Sequence, residues 1–316
     1  MKAVHVTAPG KFEFIDMPAP QLEPGKVLIR PQLISICGSD WPTVNHGRDW
    51  IPFPLNPGQP GHEVIAEVVA SDAPGLEVGD KVLDIGYSGS ARELLLRSPA
   101  EVLKLPAQPS AEELVCAQPL GVVLRAAQRW PSILGKSAVV IGQGAIGQFF
   151  TMLLKQQGAG PIITLDLEDG RLMTSKKMGA THTINSGKED AIQAVKDLTG
   201  GQGADFVIEA VGTDPTYNMV KDLVRMEGLV QCFGMPKQRS TGLFLWELMM
   251  RNPMVIMTQR GKREDFQLAL DMIGSGQAYV KPLMSHSFPI TEIATAFQMA
   301  ESRADNAMKI TMQCTW

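Results

Sequence analysis

From residue 137 onward the chain alternates short apolar runs with longer runs of helical character, and this alternation constrains the fold more than any other feature. "SAVVIG" precedes "GAIGQFFTMLLKQQG", "PIITLDL" precedes "GRLMTSKKMG", and "ADFVIEAVG" precedes "TYNMVKDLVRMEG". A further helix is expected over "EDAIQAVKDLTG", and "LVQCFGM" and "PMVIMTQ" read as closing strands. Strands that are apolar on both faces and separated by helices lie parallel, with helices covering the sheet on both sides. The expectation for this α/β stretch is a doubly wound parallel sheet.

The first of these strands runs into Gly142-Gln143-Gly144-Ala145-Ile146-Gly147. Alone, that glycine spacing is a weak signal. Between an apolar strand and an apolar helix it reads as a dinucleotide-binding turn of the Rossmann type. Gly142 permits the tight turn, Gly144 lets the backbone approach a pyrophosphate, and Gly147 lets helix and strand pack closely. Ala145 and Ile146 open the helix, whose free N–H groups and positive dipole end face the phosphates. Asp166, 24 residues after Gly142, is placed to bind the adenine ribose hydroxyls and to repel a 2′-phosphate. The expected cofactor is therefore NAD(H). Arg171 is the complication, because an arginine nearby can serve such a phosphate; a solvated helix position is the plainer account of it.

Before residue 110 the character differs. "KVLIRPQLISICG", "HEVIAEVVAS" and "DKVLDIGY" read as short strands between turns such as "EPGK" and "EVGD", a barrel-like all-β pattern. "SAEELVCAQPLGVVLRAAQRW" changes to helix, with Ser110 and Glu113 spaced as a capping box and Pro119 placed to kink or split it. The C-terminal part gives two helices, "REDFQLALDMIGSG" and "ITEIATAFQMAESR", and a last strand, "AMKITMQ". A chain of 316 residues suits two domains. A net charge of −4 argues against nonspecific nucleic-acid binding, which needs a basic face. No run of about 18 uncharged apolar residues suggests a membrane span. "MKAVHVTAPGKFEFID" lacks the apolar stretch of a signal peptide. Cys37, Cys116, Cys232 and Cys314 are far apart and form no CxxC pair, so reduced thiols and a cytoplasmic location are expected.

Two segments carry metal chemistry. Cys37 lies in "CGSD" and His62 in "GHE", 25 residues further on. A thiolate and an imidazole on strand-and-turn segments suit tetrahedral zinc. Glu63 follows directly, as a third ligand or as a group just outside the ligand set. Asp40 is placed to orient the His62 imidazole through its second ring nitrogen. Ser39 is placed to take a proton from a substrate hydroxyl. A zinc with three protein ligands and one open position lowers the pKa of an alcohol so that hydride can leave. The plainer alternatives are a buried inert cysteine and a structural histidine.

Together with "HGR" (46–48), "PGHEVIAEVV", "GDKV", "QPLGVVLRA", "VVIGQGAIGQ", "FVIEAVG" and "FPITEIATAFQMA", these segments resemble the medium-chain dehydrogenase/reductase family, in its zinc-dependent alcohol and polyol dehydrogenase branch. The resemblance covers essentially the whole chain, in order. It implies a GroES-like β-barrel catalytic domain over 1–123 and 261–316 and a Rossmann domain over 124–260, with the active site in the cleft between them. It implies one catalytic zinc on Cys37, His62 and Glu63, with Ser39 as the proton-relay hydroxyl and Val211 beside the cofactor. It further implies hydride transfer between an alcohol and NAD in a homodimer or homotetramer, with "PMVIMTQ" as the strand that pairs between subunits. The expected partner is a small-molecule alcohol or carbonyl compound, with polyols, sugars and cyclitols preferred; neither nucleic acid nor membrane is expected. Trp41, His46, Arg48, Trp50 and Phe53 follow the metal cysteine and line the substrate side or pack as an ordinary loop. Arg48 reads equally as an anion contact or a surface residue.

Two departures from the family pattern matter. No cysteine lies between Cys37 and Cys116, where many relatives bind a structural zinc, so none is expected here. Gln118, in "CAQPLGVVLRA", stands where the polyol branch has glutamate and the alcohol branch draws a cysteine. An amide is a poor zinc ligand, but it can hydrogen-bond a water or a substrate hydroxyl at the metal. Cys116 sits two residues earlier, about 200° round a helix, and does not replace it. Three arrangements follow: zinc on Cys37, His62 and Glu63 with Gln118 outside the ligand set, which is favoured; weak zinc binding; or a metal-free site that reduces or isomerises its substrate. The rival functions are a zinc-independent NAD(P)H-dependent reductase of the same fold and a nonenzymatic nucleotide-binding protein.

Overall fold

Val4 and Val6 are buried on one face of β1 (Lys2–Ala8) with His5 half-buried between them, and the strand turns at Gly10, a residue with φ +68°, into the antiparallel β2 (Lys11–Asp16). This is a computed structural model, and it describes residues 1–316 except 49, 88, 237–241, 243, 244 and 259. The chain divides into two units, Met1–Gly121 with Lys262–Trp316 and, separately, Val122–Gly261.

The first unit continues with β3 (Val27–Ser35), α1 (Asp40–His46), β4 (Glu63–Ser71), β5 (Lys81–Asp84), β6 (Leu95–Arg97), β7 (Val102–Lys104), α2 (Ala111–Leu114) and α3 (Ala117–Ala127), inside which the unit boundary falls. In β3, Val27, Ile29 and Leu33 point into the core and Arg30 points out, the period-two pattern of a half-buried strand. The segment after β5 is tied down by Asp84, which accepts from Arg97 Nε at 2.8 Å, Arg97 Nη2 at 2.9 Å and the Gly86 N–H at 2.9 Å.

The second unit follows the expected alternation: β8 (Ala138–Ile141), α4 (Ala145–Gln156), β9 (Ile162–Asp166), α5 (Asp169–Met178), β10 (His182–Asn185), α6 (Ala191–Leu198), β11 (Ala204–Glu209), α7 (Asp214–Leu223), β12 (Val224–Cys232), α8 (Leu245–Met249) and β13 (Met254–Met257). Its six strands pair in parallel in the order β10-β9-β8-β11-β12-β13. The order reverses between β8 and β11, and in such sheets ligands bind outside the carboxyl ends of the strands at that reversal. The chain then returns to the first unit through α9 (Arg263–Gly274), β14 (Met284–Pro289), α10 (Ile293–Ser302) and β15 (Lys309–Gln313). There the sheet order is β14-β15-β3-β4-β5-β7, with β6 also paired to β3. Val4, Val6, Ile34, Val64, Phe297 and Ile310 form one core of this unit, and Val27, Ile29, Ala66, Val68 and Val82 another.

Several local expectations need correction. The helix after Ser110 breaks at Val115–Cys116, ahead of Pro119, which occupies the first turn of α3, where a missing N–H leaves no intrahelical bond unmade. Ser110 makes no side-chain cap; its carbonyl oxygen already takes the Glu113 and Leu114 N–H groups at 3.1 and 2.9 Å. "VRMEG" belongs to β12 rather than to the preceding helix, and β10 and β14 are strands that the apolar pattern did not announce. Position 259, the last of "PMVIMTQ", lies outside the described residues. Among the described residues no helix is long and apolar enough to cross a membrane.

Candidate metal centre and cofactor site

Strand pairing brings the metal-site residues together. β3 and β4 run antiparallel with Ser35 opposite Glu63, and β15 joins the other edge of β3 with Thr311 opposite Ser35. The end of β3, the start of β4 and the start of β15 therefore meet. Cys37, His62 and Glu63 offer ligand atoms that all lie within 4.8 Å of one another. Asp40 holds two of them: its Oδ1 lies 3.2 Å from His62 Nδ1, and its Oδ2 accepts from the Cys37 N–H at 3.2 Å. With Nδ1 so held, Nε2 is the nitrogen left to a metal. Burial pushes the His62 imidazole pKa down, but Asp40 and Cys37 outweigh it and hold the value well above the ordinary range. Such a ring keeps a proton until another cation takes its place.

One residue beside this cluster was missed in the sequence. Lys309 is 2% exposed, and its ammonium pairs with Glu63 Oε2 while also donating to the Ile36 carbonyl at 3.5 Å. Burial pushes its pKa down; Glu63 first, then Cys37 and Cys116, outweigh that and raise it. The available signal was a lysine opening an otherwise uncharged strand, since a buried lysine needs a counter-ion. Among the described residues, Glu63 Oε1 is buried with no hydrogen-bond partner. An orphaned carboxylate oxygen grouped with a thiol and an imidazole is a donor set that fits zinc.

Gln118 is buried in the first turn of α3. Burial pushes the neighbouring Cys116 thiol up to about 12, so it is a neutral thiol. Ser39 precedes α1 without spending its hydroxyl on a cap; its carbonyl oxygen takes Thr43 Oγ1 at 3.3 Å and Arg48 Nη2 at 3.4 Å. Arg48 is no surface residue: it is buried, donates to Thr43 Oγ1 at 2.8 Å, and lies 5.5 Å from the centre of the Trp50 ring. Trp41 and Phe53 pack against the apolar core, Trp50 is exposed, and His46 pairs with Glu301.

In the other unit the glycines have distinct reasons. Gly142 adopts φ +88°, and a Cβ there would strike the Val211 side chain; a Cβ on Gly147 would strike the Gly142 carbonyl oxygen. Gly144 precedes α4, and the nearest atom to a Cβ there is Arg171 Nη1, at 3.8 Å. Ala145 and Ile146 form the first turn of α4. Asp166 does more than await a ribose. Its Oδ2 accepts from the Gln143 N–H at 2.6 Å and fixes the glycine turn, while Oδ1 accepts from Leu167 and Glu168 at 2.8 and 3.0 Å. A carboxylate has about four acceptor positions, so one remains. Arg171 is half-buried and reaches toward the glycine turn.

Residues 23–107 match the family model for the alcohol dehydrogenase GroES-like domain, and residues 145–275 match that for zinc-binding dehydrogenases. The two matches together span more than half of the chain. The chain belongs to the medium-chain dehydrogenase/reductase family. This dehydrogenase is 26% identical to sorbitol dehydrogenase of Bacillus subtilis, over 98% of this chain and 96% of the relative. It is 27% identical to D-arabitol-phosphate dehydrogenase of Enterococcus avium, over 94% and 93% of the two chains. Its fold matches zinc dependent alcohol dehydrogenase 2 from Streptococcus pneumonia with a TM-score of 0.87 at 26% identity, covering 100% of this chain and 99% of that one. The dehydrogenase falls in the zinc-type alcohol and polyol branch of its family, which implies zinc and a nicotinamide cofactor; a zinc-independent reductase is not favoured.

Proposed function

We propose that this dehydrogenase oxidises a polyol, sugar or cyclitol hydroxyl with NAD, using a single zinc held by Cys37, His62 and Glu63. The observation that carries the reading is the grouping of those three ligand atoms within 4.8 Å around a Glu63 oxygen that has no partner among the described residues. Bound there, zinc supplies Lewis acidity to the substrate oxygen, and the nicotinamide supplies the hydride acceptor. The chain's own part is positional. Asp40 fixes the His62 ring and the Cys37 backbone, Lys309 fixes Glu63, Ser39 takes the hydroxyl proton, and Gln118 hydrogen-bonds a substrate hydroxyl. Residues 1–123 with 261–316 serve as the catalytic domain, and 124–260 as the cofactor domain. Gly142, Gly144, Ala145, Ile146 and Gly147 receive the pyrophosphate, Asp166 the adenine ribose, and Arg171 and Val211 flank them. A screen over polyols, sugars and aliphatic alcohols, with and without added zinc, tests the whole reading; turnover of none of them counts against it.

Ser39→Ala is expected to lower alcohol oxidation about 100-fold, the usual size of a proton-transfer contribution, with NADH binding unchanged. Steady-state rates beside an NADH titration decide, and an unaltered rate removes Ser39 from the reaction. For the cofactor, NADH is expected to bind at least about tenfold tighter than NADPH, because a like charge beside the 2′-phosphate costs roughly 1.4 kcal/mol or more. Arg171 works in the opposite direction, so Asp166→Ser is expected to close most of the gap. Equal affinities in the parent protein would remove Asp166 from cofactor choice.

Two further parts of the reading have their own support. β13 is an edge strand with Met254, Val255 and Met257 exposed, and an uncovered apolar edge invites pairing with a second copy, in a homodimer or homotetramer. Four unpaired cysteines suit a cytoplasmic enzyme.

A further inference from the structure

Glu209 ends β11 and is wholly buried. Its Oε1 accepts from the N–H groups of both Val211 and Gly212, each at 2.9 Å. Its Oε2 is buried and lies against Gly234, where an added Cβ would strike both that oxygen and the Gly212 nitrogen. The Glu209 carbonyl takes the N–H groups of Phe233 and Gly234, both at 2.9 Å. The Tyr217 hydroxyl stands beside the same carboxylate and donates to the Gly234 carbonyl at 2.5 Å. The side chain thus holds the loop that leaves β11, while the main-chain carbonyl, which any residue supplies, holds the loop that leaves β12. Burial pushes the Glu209 carboxyl pKa up, and the Gly212 N–H, the Thr216 hydroxyl, the Val211 N–H and the Tyr217 hydroxyl only partly pull it back.

An apolar side chain would fill this space without burying a charge, but it could not hold two successive N–H groups. Those groups belong to a turn that needs Gly212 at φ +83°. The turn sits at the carboxyl end of β11, next to the reversal of strand order where a dinucleotide lies. Val211 reaches back from it to Gly142 of the glycine turn. Asp166, on β9, takes the adenine ribose on one side of β8. The remaining half of the dinucleotide is then directed over β11 and β12, onto the main chain that Glu209 holds.

We infer that Glu209 is a positioning residue for the nicotinamide half of the cofactor, its side chain acting through the Val211–Gly212 main chain. The inference rests on the NAD reading above. Its test measures dissociation constants for NADH and for ADP-ribose, which lacks the nicotinamide, on the full chain. Glu209→Ala and Glu209→Asp, whose shorter carboxylate falls short of the two N–H groups, are expected to weaken NADH about tenfold. ADP-ribose stays within about twofold of the parent value. Glu209→Gln keeps an acceptor oxygen, so its NADH constant stays within about threefold. Should the alanine variant fail to fold, the aspartate variant carries the comparison. Unchanged NADH binding in the disruptive variant overturns the inference. So does equal weakening of both ligands, which marks a role in stability alone, and so does a glutamine variant as weak as the alanine one. A parent protein that binds neither ligand overturns the NAD reading itself.

Discussion

Replacing His62 by alanine is expected to strip the protein of zinc and to lower alcohol oxidation about 1,000-fold while leaving NADH binding intact. His62 gives the centre its one neutral ligand, and Asp40 is arranged around its ring. Without the ring, Cys37 and Glu63 remain, and Glu63 already shares one oxygen with Lys309. Two ligands do not hold a tetrahedral zinc. Lewis-acid polarisation of an alcohol is worth several kcal/mol, and each 1.36 kcal/mol is a factor of ten in rate, which sets the size of the loss at roughly three decades. NADH binding is the control, because Gly142–Gly147 and Asp166 belong to the other unit. Metal content and turnover measured on one preparation check the prediction; a zinc-free variant that keeps its rate contradicts it.

Lys309→Met is expected to destabilise the metal-free protein more than the zinc-loaded one. The substitution removes the charge paired with Glu63 Oε2 and leaves a carboxylate that is wholly buried. Breaking a buried ion pair from one side costs about 3–5 kcal/mol, several degrees or more in melting temperature. A bound cation compensates part of that carboxylate, so zinc is expected to recover part of the loss. Because the Lys309 pKa is raised in the folded protein, its contribution is present in full at neutral pH and is lost only as pH rises through that raised value. Combining the change with Glu63→Gln, which removes the stranded charge, is expected to restore most of the stability. Thermal melts with chelator and with zinc provide the measurement, and equal losses in both would show that Lys309 and the metal site are independent.

The parts of this account that were legible in the sequence are those in which residue type and spacing already state the chemistry. Gly142, Gly144, Gly147 and Asp166 are such a case, because a turn, a close approach and an acceptor are needed within one strand-helix-strand unit. Cys37, Asp40, His62 and Glu63 are another, since each is a donor type with few other uses. Lys309 was not legible because its partner lies 246 residues away and is chosen by the register that docks β15 on β3. β10 and β14 were missed because "HTIN" and "MSHSFP" are short and half polar, and become strands only by pairing with β9 and β15. The start of β12 read as helix because its apolar residues continue the spacing of α7, and only the pairing of Val224 with Ala204 marks it as strand. The burial of Arg48 was left open in the sequence for the same reason: burial of an arginine is set by tertiary neighbours, not by the residues beside it.

The central claim is that Cys37, His62 and Glu63 hold zinc although Gln118 brings no charge to the centre. Metal analysis of protein prepared without chelator, assayed for alcohol oxidation on the same sample, tests it most directly. The account predicts close to one zinc per chain, as a site with three protein ligands requires, and loss of activity when that zinc is removed. Zinc near zero with activity intact would contradict it.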